Sequence, residues 1–182
     1  IKVVIPANFG INDFFTFWLA GKFTWTGQNP YSIEQWVSAH SFYGENWVPN
    51  KIFPYPLPLS IFFAPFGLLP FKEAAMVWVV ISQVLVTTSI IMINKAVTTQ
   101  KGLLLPLFAG FIIFRPTLLA IKYGQLSSLL LFLIALSVYF WQKEKWWQGA
   151  IPLALLILKP TIGGPILGLT LVWLIAKKRI YP

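Results

Sequence analysis

Residues 74–94 read AAMVWVVISQVLVTTSIIMIN, twenty-one positions without a charged side chain. At a rise of about 1.5 Å per residue, a helix over this run is about 31 Å long, which matches the hydrocarbon core of a bilayer. The rest of the chain has the same character. Of its 182 residues 57% are hydrophobic and only 10% are charged, whereas a soluble domain carries about 25% charged residues. The expected fold is therefore all-α, a polytopic transmembrane helix bundle.

Working outward toward the C-terminus, 102–121 is a second apolar run, with Arg115-Pro116 inside it, and 126–141 is a third. Two shorter runs, 150–158 and 161–176, are separated by Lys159-Pro160 and form either one long helix or a hairpin. Together 74–182 makes the bundle, and 1–73 precedes it as a long loop. Residues 7–51 interleave Phe14, Trp18, Trp25, Tyr31, Trp36 and Trp47 with Asn, Gly and Ser. Amphipathic rings favour the membrane–water interface, so this loop is expected to lie on the bilayer. A helix is expected over 13–23, with Asn12 or Asp13 near its cap, stopped by Gly27-Gln28-Asn29-Pro30-Tyr31. The stretch 54–70 carries Pro54, Pro56, Pro58, Pro65 and Pro70. It is too short and too proline-broken to span, and it reads as a half-inserted or interfacial helix.

The net charge of +9 is not a nucleic-acid signal, because the basic residues punctuate hydrophobic runs as topology signals do. Lys95, Lys101, Lys143, Lys145, Lys177, Lys178 and Arg179 fall in one set of short connections; Lys122 and Lys159 fall in the alternate set. The richer set is assigned to the cytoplasm. This requires Lys159-Pro160 to turn the chain and 54–70 not to cross. The long loop, the Lys122–Gln125 turn and Lys159 then share the extracytoplasmic side of a multi-pass protein of the cell (plasma) membrane. The chain opens on Ile1 without a methionine and ends just beyond Arg179, so a segment of a longer protein is expected, with one more helix before Ile1.

There is no cysteine, one histidine and five acids. That excludes a thiolate metal site or nucleophile; the sequence requires no cofactor and leaves divalent-metal dependence open. His40 reads as a surface residue. Asp13, among apolar aromatics, could act as a general base on a hydroxyl, although composition alone favours a helix N-cap. Lys122 fits a phosphate ligand with Gln125 as a hydrogen-bonding neighbour, or a lysine snorkelling at a helix end. Arg115 and Lys122 are two helical turns apart and share a face. An arginine within a span is expected to face the bundle interior and meet an anion, and Lys159 in its short turn is a further anion-binding candidate.

These strings, taken in order, resemble the polyprenol-phosphate-sugar-dependent enzymes of glycosyltransferase family 87, within the C-type superfamily of membrane glycosyltransferases. The family's early Asp-Phe and small-residue pair are matched by Asp13-Phe14 and Ala20-Gly21, and its Gly-x-x-Pro-Tyr by Gly27 to Tyr31. Its proline-punctuated aromatic string is matched by Tyr55-Pro56-Leu57-Pro58-Leu59 through Leu69-Pro70, followed by Ala75 and Trp78, although the usual Pro-Pro is split by Leu57. Its Gly-Gln turn is matched by Gly124-Gln125, and its Leu-Lys-Pro by Leu158-Lys159-Pro160 after Gly149. The resemblance implies an extracytoplasmic first loop carrying the catalytic aspartate, here Asp13. It also implies a polyprenyl-phosphate sugar donor, with mannose the expected sugar, and a lipid or glycan acceptor. Gln125 and Lys159 fall on motif positions, with Lys122 and Arg115 as further donor-phosphate candidates. A non-catalytic scaffold subunit of a larger membrane complex, keeping this fold, is the competing reading.

Overall fold

In a computed structural model, residues 13–43, 50–97 and 103–176 are described, and every regular element among them is helical. The helices are α1 (Asp13–Thr26), α2 (Ile33–Phe42), α3 (Leu57–Gly67), α4 (Phe71–Val97), α5 (Leu104–Ile113), α6 (Arg115–Lys122), α7 (Ser127–Gln142), α8 (Trp146–Ala154) and α9 (Pro160–Ala176), with a 3-10 turn at Leu155–Leu158 between the last two. Asn12, Trp47, Lys101 and the basic run from Lys177 to Arg179 lie outside the described residues. Among the described residues α4 alone is long and apolar enough to cross a membrane, and α5 with α6 would make a second crossing if the bent pair is one span. At 17 residues, α9 is about 26 Å long, short of the roughly 30 Å core.

The run 102–121, expected as one helix, is broken. α5 ends at Ile113, Phe114 is extended at φ −69° and ψ 99°, and α6 leaves at 63° to α5. Pro116 is the cause. It has no N–H to give the carbonyl of residue 112, and its ring would collide with that carbonyl, so the helix must stop and restart with proline in the new first turn.

The described residues form two compact units, one from Asp13 to Ser82 with Leu118–Gln125, the other from Gln83 to Thr117 with Leu126 onward. In the first unit most of these aromatic side chains pack into a core. Phe14, Phe17, Trp18, Phe23 and Trp36 are each 3% exposed or less, while Trp25 (57%) and Tyr31 (38%) stay at the surface. Two glycines allow this packing. A β-carbon on Gly21 would collide with the Phe63 carbonyl, and one on Gly67 would collide with the Lys22 backbone, so α1 and α3 pack backbone to backbone. Gly21→Val is therefore expected to lower stability by about 2–3 kcal/mol, since a backbone obstacle cannot swing aside as a side chain can. Thermal unfolding in detergent should show a drop on the order of 5–10 °C. Gly168→Ala, where nothing lies within 4 Å, should leave the midpoint unchanged or slightly raised.

His40 is also in this core, 1% exposed rather than at the surface. Its ring sits against Phe15 at 5.2 Å and Trp36 at 5.0 Å. Nδ1 lies 2.8 Å from the Trp36 carbonyl; a carbonyl only accepts, so this nitrogen carries the hydrogen. Burial pushes the imidazole below its ordinary 6.5, partly offset by that hydrogen bond. The folded state thus resists a proton that the unfolded chain accepts. His40 supports the fold fully above pH 6.5 and loses that support as pH falls through the lowered value. Unfolding midpoints at pH 7.5 and 5.5 should differ in that direction, and His40→Phe should flatten the difference.

In the second unit, Trp141 at the end of α7 stacks on Trp173 near the end of α9, with centroids 6.3 Å apart, and lies 6.1 Å from Trp146 at the start of α8. At the other end Leu130 and Leu133 of α7 pack with Leu156, Leu153 and Ile166. The chain thus runs along α7, returns through α8 and its 3-10 turn, and comes back along α9. Of the two options for 150–176, the hairpin is the one formed. Lys159 makes the turn at φ −128° and ψ 82°, and the approach is tight enough that a β-carbon on Gly163 would strike the Leu156 carbonyl. Lys143 and Lys145 are at one end of this unit and Lys159 at the other.

Candidate functional site

Asp13 opens α1 and is exposed, where the positive end of the helix favours a carboxylate. Tyr55 is its neighbour in space. Burial raises the Tyr55 phenol, and the charge of Asp13 raises it further. The Tyr55 ring is held by Phe17 at 5.1 Å and Phe53 at 5.5 Å, and the Tyr31 hydroxyl donates to the Tyr55 carbonyl at 2.7 Å. The acid and the phenol are therefore close enough to interact electrostatically, and both are groups that hydrogen-bond to hydroxyls. Nothing in the sequence spacing signalled this pair, because 42 residues separate its members.

The residue after Asp13 turns inward. Phe14 is fully buried and stacks on Trp78 of α4 at 5.9 Å and 14°. Trp78 is 1% exposed, and its indole N–H donates to the Gly124 carbonyl at 3.1 Å. Gly124 is at φ 63°, a conformation open to glycine without penalty. It closes α6 with a Schellman pair, Gly124 N–H to the Ile121 carbonyl at 3.1 Å and Gln125 N–H to the Ala120 carbonyl at 2.8 Å. The Gly-Gln string is thus a helix stop, and a buried tryptophan ties it to the Asp-Phe string. Gly27-Gln28 ends α1 the same way, with Gln28 N–H on the Phe23 carbonyl at 3.1 Å.

Asp13, Lys122 and Gln125 belong to the first unit. Lys122 is the last residue of α6 and is exposed, with Nζ 5.5 Å from the Tyr123 ring centroid. Arg115 and Lys159 belong to the second unit. Arg115 does not face a bundle interior as expected. It is exposed, because the break at Phe114 places it at the start of a short helix rather than inside a span. Lys159 is half-buried in its turn, and its N–H is on the Leu156 carbonyl at 3.1 Å. Among the described residues no group of three His, Cys, Asp or Glu side chains could hold a metal.

A chain whose described elements are all helical, with a helix of membrane length, an exposed acid at a helix start and a tethered Gly-Gln turn, fits the class of membrane-associated glycosyltransferases. The model of glycosyltransferase family 87 matches residues 53–181, and the chain belongs to that family. The match takes in Trp78, Arg115, Lys122, Gln125 and Lys159 and begins after Asp13. Comparison with curated proteins and with solved structures gives no match.

Proposed function

We propose that this protein transfers a hexose, with mannose the first to test, from a polyprenyl-phosphate donor to a lipid or glycan acceptor at the extracytoplasmic face of the plasma membrane. The observation that carries the reading is the Trp78 tie between Asp13-Phe14 and Gly124-Gln125, in a chain of a glycosyltransferase family. Asp13 takes the proton of the acceptor hydroxyl. The freed oxygen attacks the anomeric carbon from the side opposite the phosphate, the carbon–oxygen bond to phosphate breaks, and the anomeric configuration inverts. Negative charge then grows on the leaving lipid phosphate. Lys122, Arg115 and Lys159 are the cations assigned to it, and Gln125 is assigned to a sugar or phosphate oxygen; preorganised cations stabilise the charge most where it develops. Arg115 and Lys122 are the two ends of the eight-residue α6, and two turns of helix between them place them on one face.

The cation assignment predicts a split from the base. Lys122→Ala, Arg115→Ala and Lys159→Ala in the full-length protein should each lower kcat/KM for the donor on the order of tenfold to a hundredfold, with turnover remaining. The assay is sugar transfer from a radiolabelled polyprenyl-phosphate sugar in nanodiscs at varied donor concentration. Unchanged donor kinetics in all three variants would remove these residues from the donor site.

A further inference from the structure

Asp13 and Phe17 are one turn apart on α1, so their side chains share a face, and side chains on a helix lean toward its start. The Tyr55 ring packs on Phe17 with centroids 5.1 Å apart. The phenol ring is thereby seated beside the first turn of α1, where Asp13 stands. The electrostatic effect of Asp13 on the Tyr55 hydroxyl agrees with that placement.

Much of the local structure goes into holding this one ring. Phe53 packs on it as well, at 5.5 Å. Phe53 is itself fixed by its N–H on the Pro30 carbonyl at 2.9 Å and by its ring against Trp36 at 5.8 Å. Pro54 and Pro56 flank the tyrosine, and the second of them confines the Tyr55 backbone to extended conformations. The Tyr31 hydroxyl ties down the Tyr55 carbonyl at 2.7 Å. The Tyr55 hydroxyl, by contrast, has no hydrogen-bond partner among the described residues, and neither has the Asp13 carboxylate. Tyr55 is half-buried and Asp13 is exposed. A phenol fixed in place with its donor unspent is what a preorganised ligand contact requires.

We propose that Tyr55 is an acceptor-binding residue: its O–H donates to a hydroxyl oxygen of the acceptor while Asp13 takes the proton of the attacking hydroxyl. The assignment deepens the transfer reading given above and rests on it. The two groups are complementary. A carboxylate only accepts hydrogen bonds. The phenol, pushed above its ordinary 10.0 by burial and then by Asp13, keeps its proton through the neutral range and donates. A hydroxyl does both, so acceptor hydroxyls satisfy the pair together. No proton leaves Tyr55 in the reaction; it orients the group that Asp13 deprotonates.

The test is sugar transfer by the full-length protein in nanodiscs from a radiolabelled polyprenyl-phosphate sugar, with the acceptor supplied as serial dilutions of membrane lipid extract. Tyr55→Phe keeps the ring on Phe17 and Phe53 and removes only the hydroxyl. It should raise the apparent acceptor KM about fivefold to tenfold, the usual worth of one hydrogen bond, with donor KM and unfolding midpoint at wild-type values. Tyr43→Phe removes a phenol that is 38% exposed and should leave both constants unchanged. A wild-type acceptor KM in Tyr55→Phe, beside a wild type that transfers, would overturn the assignment and leave the transfer reading standing. Equal rises in both KM values with a lowered unfolding midpoint would make Tyr55 a structural residue and overturn the assignment likewise. No transfer by the wild type would overturn the reading itself and this assignment with it.

Discussion

Asp13→Asn in the full-length protein is expected to lower sugar transfer about a hundred- to ten-thousand-fold, the usual range for removing a well-placed general base. The substitution keeps the size of the side chain and its capacity to cap α1, since asparagine is as good a cap as aspartate. The side chain is exposed and buries no charge, so thermal unfolding should change little. Activity and stability therefore separate the two roles open to this residue. A base loses the reaction and keeps the fold, whereas a helix cap keeps both in the asparagine variant and loses stability in Asp13→Ala. Transfer at the wild-type rate by a folded Asp13→Asn protein would take the base assignment away.

The second large effect is expected at Trp78. Its ring contacts Phe14 at 5.9 Å, Phe63 at 4.9 Å and Phe66 at 5.8 Å, and it is buried to 1% exposure. Trp78→Ala empties the centre of this cluster and should cost about 3–5 kcal/mol. Trp78→Phe is the informative variant. It keeps an aromatic ring and loses the N–H, leaving the Gly124 carbonyl without that donor, for about 1–2 kcal/mol. Trp78 touches no substrate in this account; it positions the Gly124-Gln125 turn. The phenylalanine variant should therefore raise the donor KM more than it lowers kcat, while leaving the pH profile of transfer unmoved. A phenylalanine variant with wild-type unfolding and wild-type donor KM would show that the tie does not hold the turn in place.

Much of the helical content was legible because uncharged runs have few alternatives: the run 74–94 lies within α4, and 126–141 lies within one residue of α7. The stop signals were legible for the same local reason. Gly27 and Gly124 both end helices at positive φ, where most side chains are strained. Burial is harder to read where two environments demand the same residues. Rings such as Phe14, Phe17 and Trp18 suit a membrane surface and a packed interior alike, and only the close approach of α1 and α3 at Gly21 and Gly67 decides for the interior. The Ala20-Gly21 pair was visible, but not the partner backbone that makes the glycine necessary. His40 was misplaced for the same reason, since its neighbour Phe15 comes from another helix. Pro116 lies inside an apolar run, and hydropathy alone does not show that its ring ends α5 at Ile113, three residues earlier. Of the site, the strings were legible one by one. That Phe14, Trp78 and Gly124 meet, and that Tyr55 approaches Asp13, are facts of tertiary packing.

The central claim concerns the donor, and one measurement addresses it most directly. The full-length protein, purified and placed in nanodiscs, is offered radiolabelled mannose as a polyprenyl-phosphate sugar and, separately, as a nucleotide sugar, with membrane lipid extract as acceptor. The account predicts label transferred from the polyprenyl-phosphate donor in a form that requires Asp13, and none from the nucleotide donor. Transfer from the nucleotide sugar alone would contradict it.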